Sequence, residues 1–277
     1  MQALQAPITL GLIGYGEVGK TFATGLKNAA GHGIAAQPGM AQLCQASRLI
    51  ISAVTASNTL AVAEEAARHL LPGTLLLDLN SASPGTKQRA AEVIEAAGGH
   101  YVEAGVMTSV PPYGIRVPML LGGAHAAPLA ELLRGWGMDA TPVSERIGVA
   151  SAIKMCRSVM IKGLEALVIE SYSTARAYGV EDHVLPTLQE TFPSIDWSAQ
   201  GAYFFSRVVQ HGRRRAEEMR ESAATVREAG FEPLMASAIA AKQQWVADQA
   251  AAGVFKDVGK GAVWQAYADA LLAARKA

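Results

Sequence analysis

The chain has 277 residues, half of them hydrophobic, which is enough to bury a sizeable core and makes two domains the natural expectation. Its 24 basic and 24 acidic residues cancel, so no nucleic acid and no acidic membrane surface is expected as partner. Cys44 and Cys156 make neither a disulfide framework nor a metal-ligand set, and nothing reads as a targeting peptide or membrane span, so a cytoplasmic protein without a metal is expected.

The first apolar run, 8–13, leads into GLIGYGEVGK, where Gly14, Gly16 and Gly19 stand at G-x-G-x-x-G spacing before the chain turns helical. Gly14 suits a tight turn, Gly16 a close backbone approach to a pyrophosphate, and Gly19 close packing of helix on strand. Strand, turn and helix in that order are the context the motif requires. The loop Gly14, Tyr15, Gly16, Glu17, Val18, Gly19 is therefore the candidate site for a dinucleotide, NAD or NADP. A Rossmann unit also places an acid about 20 residues on, at the end of strand two, to hold the adenosine ribose. The corresponding stretch GHGIAAQPGM has none. Either GIAAQ is a very short strand two or that strand has been lost. Lys27 and His32 face a 2′-phosphate or are solvated surface, so NAD and NADP are not told apart.

Further strands are expected at 48–54, 74–79, 100–106, 117–123 and 139–143, separated by helical patterns such as TKQRAAEVIEAAG, which stops at Gly98. This alternation predicts an α/β fold of Rossmann type, a doubly wound, mostly parallel sheet over residues 1–145. Val54 and Thr55 end one strand, and Asn80 and Ser81 follow another, at the carboxyl edge where such sheets bind ligands. Ser83 reads as a helix cap ahead of Pro84.

After Pro142 the strand signals stop. An apolar period of 3.6 runs to Gly179, and helical stretches follow at 182–191, 197–210, 212–229, 233–252 and 257–275. Residues 146–277 are expected to form an all-α domain that begins with a long interdomain helix. On that helix Ser151, Lys154, Ser158, Lys162 and Glu165 share one narrow polar stripe amid apolar residues. It reads as a wet cleft with Lys154 and Ser158 at its start, or as a solvated seam. The extent of alanine-rich helix surface predicts a homodimer.

The stretches GLIGYGEVG, LDLNSASP, YVEAGVMTSVPPYG, MLLGG and GVASAIKMCRS follow the motif order of the β-hydroxyacid dehydrogenases, the family of 3-hydroxyisobutyrate and 6-phosphogluconate dehydrogenases. The second half, with YGVEDHVLPTLQETFP and HGRRRAEEM, resembles a phosphogluconate-dehydrogenase-like branch whose members are largely uncharacterised. The resemblance implies that Lys154 is the catalytic lysine, handling the proton of a reacting hydroxyl. It puts Ser158 where the family has a substrate-orienting asparagine, Glu145 on the first glycine and Ala150 on the third glycine of the catalytic motif. It places Ser81 near nicotinamide and substrate. It lays Glu103 to Ser109 over the family's D-x-P-V-S-G-G loop, with Thr108 and Ser109 as substrate contacts and Tyr113 and Arg116 as further candidates. That loop departs from the pattern and argues against 3-hydroxyisobutyrate itself. His211 and Arg214, at i, i+3, are candidates for an anionic substrate group, or a solvated face paired with Glu217 and Glu218. KDVGK faintly echoes a family element at Lys256 and Asp257.

The expected function is hydride transfer between nicotinamide and a small hydroxy acid, with Lys154 as acid/base; decarboxylation can follow if the product is a β-keto acid. Burial beside apolar helix surface and a cationic nicotinamide would both lower the lysine's pKa. An imine- or ketone-reducing member of the same fold, or a non-catalytic dinucleotide-binding protein, is the alternative.

Overall fold

The computed structural model describes residues 8–30 and 35–275. The chain divides into two compact units, 1–156 with 228–230 and 157–227 with 231–277.

The first unit is built on six strands, β1 (Leu10–Ile13), β2 (Leu49–Ser52), β3 (Leu75–Asp78), β4 (His100–Val106), β5 (Met119–Gly122) and β6 (Ala140–Ser144), which lie side by side in chain order. Each falls within one of the six expected apolar runs or overlaps it. β1 to β4 are mutually parallel, as are β5 and β6, while β4 and β5 are antiparallel. The reversal has a local cause. Residues 107–118 carry only one 3-10 turn, Gly114–Arg116, and no crossover helix to bring β5 back parallel.

Five helices cover the sheet: α1 (Glu17–Ala30), α2 (Met40–Ala46), α3 (Thr59–Ala67), α4 (Pro84–Ala96) and α5 (Ala126–Gly135). Phe22 and Leu26 of α1 and Leu129 and Leu133 of α5 pack on Leu49, Ile51, Leu77, Val102 and Leu121. On the other face Cys44, Ala63, Ala66, Ala90 and Ile94 pack on Ile50, Leu76 and Tyr101. The interiors of β2 and β3 are thus buried on both sides, which is why they read as apolar runs. Ser83 caps α4, its hydroxyl accepting from the Thr86 amide, and Pro84 fills the first turn.

Among the described residues β1 is an edge strand. Its one partner among the described residues is β2, and residues 35–39 form no strand. The described part of GIAAQ is therefore not a strand two; its first residues and His32 lie outside the described residues.

The second unit is all helical. A single helix, α6 (Val149–Tyr178), starts in the first unit and ends in the second. It stops where Gly179 takes φ +67°. α7 (Glu181–Thr191), α8 (Trp197–Glu228), α9 (Leu234–Ala251) and α10 (Trp264–Ala274) follow. Two expectations are corrected. The helices expected at 197–210 and 212–229 are one, because Gly212, at the expected break, stays helical where α9 crosses close by; a Cβ there would lie 2.8 Å from the Gln243 carbonyl oxygen. The last helix begins at Trp264, not near 257, because residues 252–263 are turns, with Gly253 and Gly261 at positive φ.

The unit's core gathers Ile169, Tyr172, Phe205, Val246, Trp264 and Tyr267. Beside it lies a buried polar seam. Glu165, 1% exposed, takes both Nε (2.9 Å) and Nη2 of Arg215. Lys162 pairs with Glu218 at 2.9 Å and donates to the Ser158 hydroxyl at 3.2 Å, and the Gln243 amide donates to Glu165 at 3.2 Å. The lower part of the polar stripe on α6 is therefore neither wet cleft nor solvated seam. It is packed against α8 and α9 because each charge on it meets a partner there.

Candidate functional site

Because β1 to β4 run parallel, their carboxyl ends lie along one edge of the first unit's sheet, and most of the candidate residues belong to that edge. The glycine turn leaves β1 there. Gly14 has φ +90°, and a Cβ on it would fall 2.4 Å from the Ala53 carbonyl oxygen, so this turn is held against the end of β2 and admits only glycine. A Cβ on Gly19 would lie 1.9 Å from the Gly14 carbonyl oxygen, so turn and helix touch backbone to backbone. A Cβ on Gly16 would meet nothing within 4 Å. The turn is thus open at Gly16, just before α1, and the first-turn amides of a helix make no bond within it, the arrangement an anionic pyrophosphate needs. Tyr15 and Glu17 are exposed and Val18 is half-buried.

The next two strands are tied together at their ends. Asp78 is buried and ion-paired at 3.0 Å with Lys87, itself fully buried, and it accepts the Tyr101 hydroxyl. Burial, chiefly, and the Asp78 carboxylate push the Tyr101 phenol well above its ordinary value, so it stays a donor. The same Asp78 accepts the Asn80 amide at 2.8 Å. Asn80, 3% exposed, in turn accepts from the Val54 backbone N–H at 2.7 Å and donates to Ser52 Oγ at 3.1 Å. Its side chain is spent on joining β3 to β2. What it offers a ligand is the shape of the edge. Thr55, one residue beyond Val54, is exposed.

Ser81 follows directly, and its Oγ accepts a hydrogen bond from Lys154 Nζ at 2.6 Å. Two features bring the lysine there. Gly105 on β4 lets α6 approach, since a Cβ on it would lie 2.9 Å from the Ala150 carbonyl oxygen and 3.5 Å from Lys154 Cβ. Glu103, fully buried on the same strand, accepts the amides of Gly148 (2.7 Å), Ala150 (3.0 Å) and Ser151 (3.3 Å) at the start of α6. An ionised carboxylate on a helix N-terminus is both capped and charge-complemented. It fixes the turn that precedes Lys154.

Thr108 (exposed) and Ser109 (half-buried) follow β4 at the same edge. Ser158, His211 and Arg214 belong to the second unit: Ser158 is buried beside Lys162, and Arg214 lies 4.0 Å from Glu218. Sequence reasoning missed the anchors Glu103, Asp78 and Lys87. The signal was present, because a lone acid inside HYVEAGV or LLLDL, on a strand with two buried faces, has to find a partner in the core.

Among the described residues there is no cluster of three metal-ligating side chains and no helix long and apolar enough to cross a membrane. Cys44 and Cys156 are free thiols; burial, helped by the Glu65 carboxylate, pushes Cys44 up to about 11.

Residues 22–112 match the NAD binding domain of 6-phosphogluconate dehydrogenase, and residues 175–246 match a domain of unknown function, DUF1932. A conserved hypothetical protein from Sinorhizobium meliloti 1021 is 35% identical, over 98% of each chain, with a TM-score of 0.79. An uncharacterised 28.5 kDa protein of Methanothermus fervidus is 27% identical over 82% of this chain and 94% of its own. The Mycobacterium tuberculosis 3-hydroxyisobutyrate dehydrogenase, at 14% identity, 88% and 95% coverage and a TM-score of 0.71, shares the fold. The cofactor is NAD or NADP, and the open glycine turn fits its pyrophosphate. With its motifs in dehydrogenase order, its two domain matches and a relative alike from end to end, the chain belongs to the 6-phosphogluconate dehydrogenase-like NAD-binding family that carries a DUF1932 domain.

Proposed function

We propose that the chain is an NAD(P)-dependent oxidoreductase that transfers a hydride between nicotinamide and a small hydroxy acid, with Lys154 as the general acid/base. The observation that carries this is the Lys154 Nζ to Ser81 Oγ hydrogen bond at the carboxyl edge of the sheet that also bears the glycine turn. Gly14, Gly16 and Gly19 would hold the cofactor, which supplies a hydride acceptor or donor when bound. Lys154 Nζ, as the neutral amine, takes the hydroxyl proton of the substrate during oxidation. In the reverse direction, as ammonium, it returns a proton to the carbonyl oxygen. The Ser81 hydroxyl aims the amine, and Glu103 keeps the first turns of α6 fixed while the proton moves. Thr108 and Ser109 at the same edge are the proposed substrate contacts.

The test is a panel of hydroxy acids assayed for nicotinamide reduction at pH 7 to 9, with ketones and imines in the reducing direction. Lys154→Met is expected to keep cofactor binding in titration calorimetry and to lose about 10²- to 10⁴-fold in kcat. Full turnover in that variant would reject the mechanism.

The chain is also proposed to act in the cytoplasm, and as a homodimer. Met160 (66% exposed), Leu167 (56%) and Tyr178 (79%) fall on one face of α6 and leave an apolar stripe for a second copy to cover. Light scattering that returns the monomer mass at micromolar concentration would refute the dimer.

A further inference from the structure

Three residues of the first unit break local rules, and they do so at one place. Asp78 closes β3, a strand buried on both faces whose other residues are Leu75, Leu76 and Leu77. Lys87, the fourth residue of α4, is a cation in the opening turn of a helix, where the macrodipole opposes it, and it is fully buried. Tyr101 is a buried phenol on β4. All three meet at the Asp78 carboxylate. Its Oδ1 pairs with Lys87 Nζ at 3.0 Å, and its Oδ2 accepts the Tyr101 hydroxyl. Lys87 also donates to the Asp78 carbonyl oxygen at 3.1 Å.

A buried ion pair adds little stability, because desolvating both charges offsets their attraction, and apolar residues of similar volume do as well or better. A fourth leucine at the end of β3 would suit the core. What a leucine cannot do is accept an amide. Asp78 Oδ1 also accepts the Asn80 backbone N–H at 2.8 Å, a turn that bends the chain off β3. The bend lets the Asn80 side chain reach the Val54 amide and Ser52, and it sets Ser81, the next residue, 2.6 Å from Lys154 Nζ. Lys87 and Tyr101 hold the carboxylate from its other sides, so it cannot rotate away from the turn. Local rules broken together, with no gain in packing, mark a functional constraint.

We infer that Asp78 is the positioning residue of the acid/base pair: locked by Lys87 and Tyr101, it holds the turn after β3 so that Ser81 Oγ receives the Lys154 amine. This rests on the reading of Lys154 as the acid/base. Asp78 acts through the Asn80 amide and Ser81, not on the reacting atoms. With Lys87 it forms a pair of one negative and one positive charge, so the clamp fixes geometry without placing a net charge beside the site. A misplacement of about 1 Å at such a site costs on the order of 10²-fold in rate.

The experiment compares the full-length protein with the double variant Asp78→Leu/Lys87→Met and with Ser81→Ala. Three quantities are read: the urea midpoint, kcat alongside the NADH and NADPH dissociation constants, and the rate at which formaldehyde and cyanoborohydride methylate Lys154, followed by mass spectrometry. An amine held by Ser81 reacts more slowly than one released from it. The double variant is expected to keep the wild-type urea midpoint, since apolar side chains replace the buried pair. Its kcat is expected to fall about 10- to 100-fold while cofactor affinity changes by less than about threefold. Its Lys154 is expected to be methylated as fast as in Ser81→Ala. Either a wild-type kcat or a wild-type methylation rate in the folded double variant would make the clamp a structural pair only and overturn the inference. If the wild type turns over no hydroxy acid, ketone or imine, the hydride-transfer reading fails by itself, and the methylation rate still decides the inference. Should the double variant not fold, Asp78→Glu keeps the ion pair and moves the carboxylate by one methylene; the same loss of kcat and faster methylation are expected, and wild-type values refute.

Discussion

Glu103→Gln isolates what holds Lys154 in place. The substitution is isosteric, so the close contact with Gly122, where a Cβ would lie 2.6 Å from Glu103 Oε1, is unchanged in shape. What changes is charge and hydrogen bonding. The carboxylate accepts three amides at 2.7, 3.0 and 3.3 Å. Glutamine keeps one oxygen for the Gly148 and Ala150 amides and turns an NH₂ toward the amide of Ser151. One bond is lost, two become neutral, and a negative charge leaves the N-terminus of a long helix. A hydrogen bond to a charged group contributes about 1.5–3 kcal/mol against roughly 1 for a neutral one. The partly buried charge–dipole interaction adds up to ~2 kcal/mol. These overlap, so a net loss of about 2–4 kcal/mol is expected, read as a lower urea midpoint at unchanged slope. Amide exchange of residues 148–151 should accelerate, and kcat should fall further than cofactor affinity. Wild-type urea stability together with wild-type exchange in that turn would refute the reasoning.

Gly19→Ala would set a Cβ 1.9 Å from the Gly14 carbonyl oxygen, so thermal shift by NADH or NADPH should disappear and the unliganded melting temperature should drop; retained ligand stabilisation would contradict the turn geometry. Burial, then the His100 ring 4.0 Å away, lowers the His125 imidazole below its ordinary 6.5, with Glu95 opposing. The neutral form is thus favoured in the fold, and its contribution is complete above about 6.5 and lost as pH falls through the lower folded value. His125→Asn should flatten the urea midpoint between pH 7 and pH 5. Arg215→Met leaves Glu165 buried and unpaired and should cost about 3–5 kcal/mol by chemical denaturation, while the double change Glu165→Met/Arg215→Met should recover most of it.

Much of the fold was legible along the chain. Parallel strands buried on both faces have to be apolar runs, so β2 and β3 announce themselves. Ser83, Gly98 and Gly179 punctuate helices because caps depend on local backbone chemistry. The glycine turn is equally local: its requirement for missing Cβ atoms is written into spacing. By contrast, the joined α8 and the late start of α10 were hidden. At Gly212 a crossing helix overrides propensity, and at 252–263 three glycines break a pattern that periodicity alone would continue.

The site divides the same way. The sequence by itself determined that a dinucleotide turn, a serine after LDLN and a lysine on a long helix are present. Only the tertiary structure decided that Ser81 and Lys154 meet, that Asn80 is consumed in joining two strands, and that Glu103 caps α6. It also decided that β1 stands at the edge of the sheet, with no strand beyond it among the described residues. The reason is range: turns and caps are fixed by neighbours in the chain. Pairing of buried charges and the order of strands are fixed by which distant segments share a core, and no local pattern encodes that.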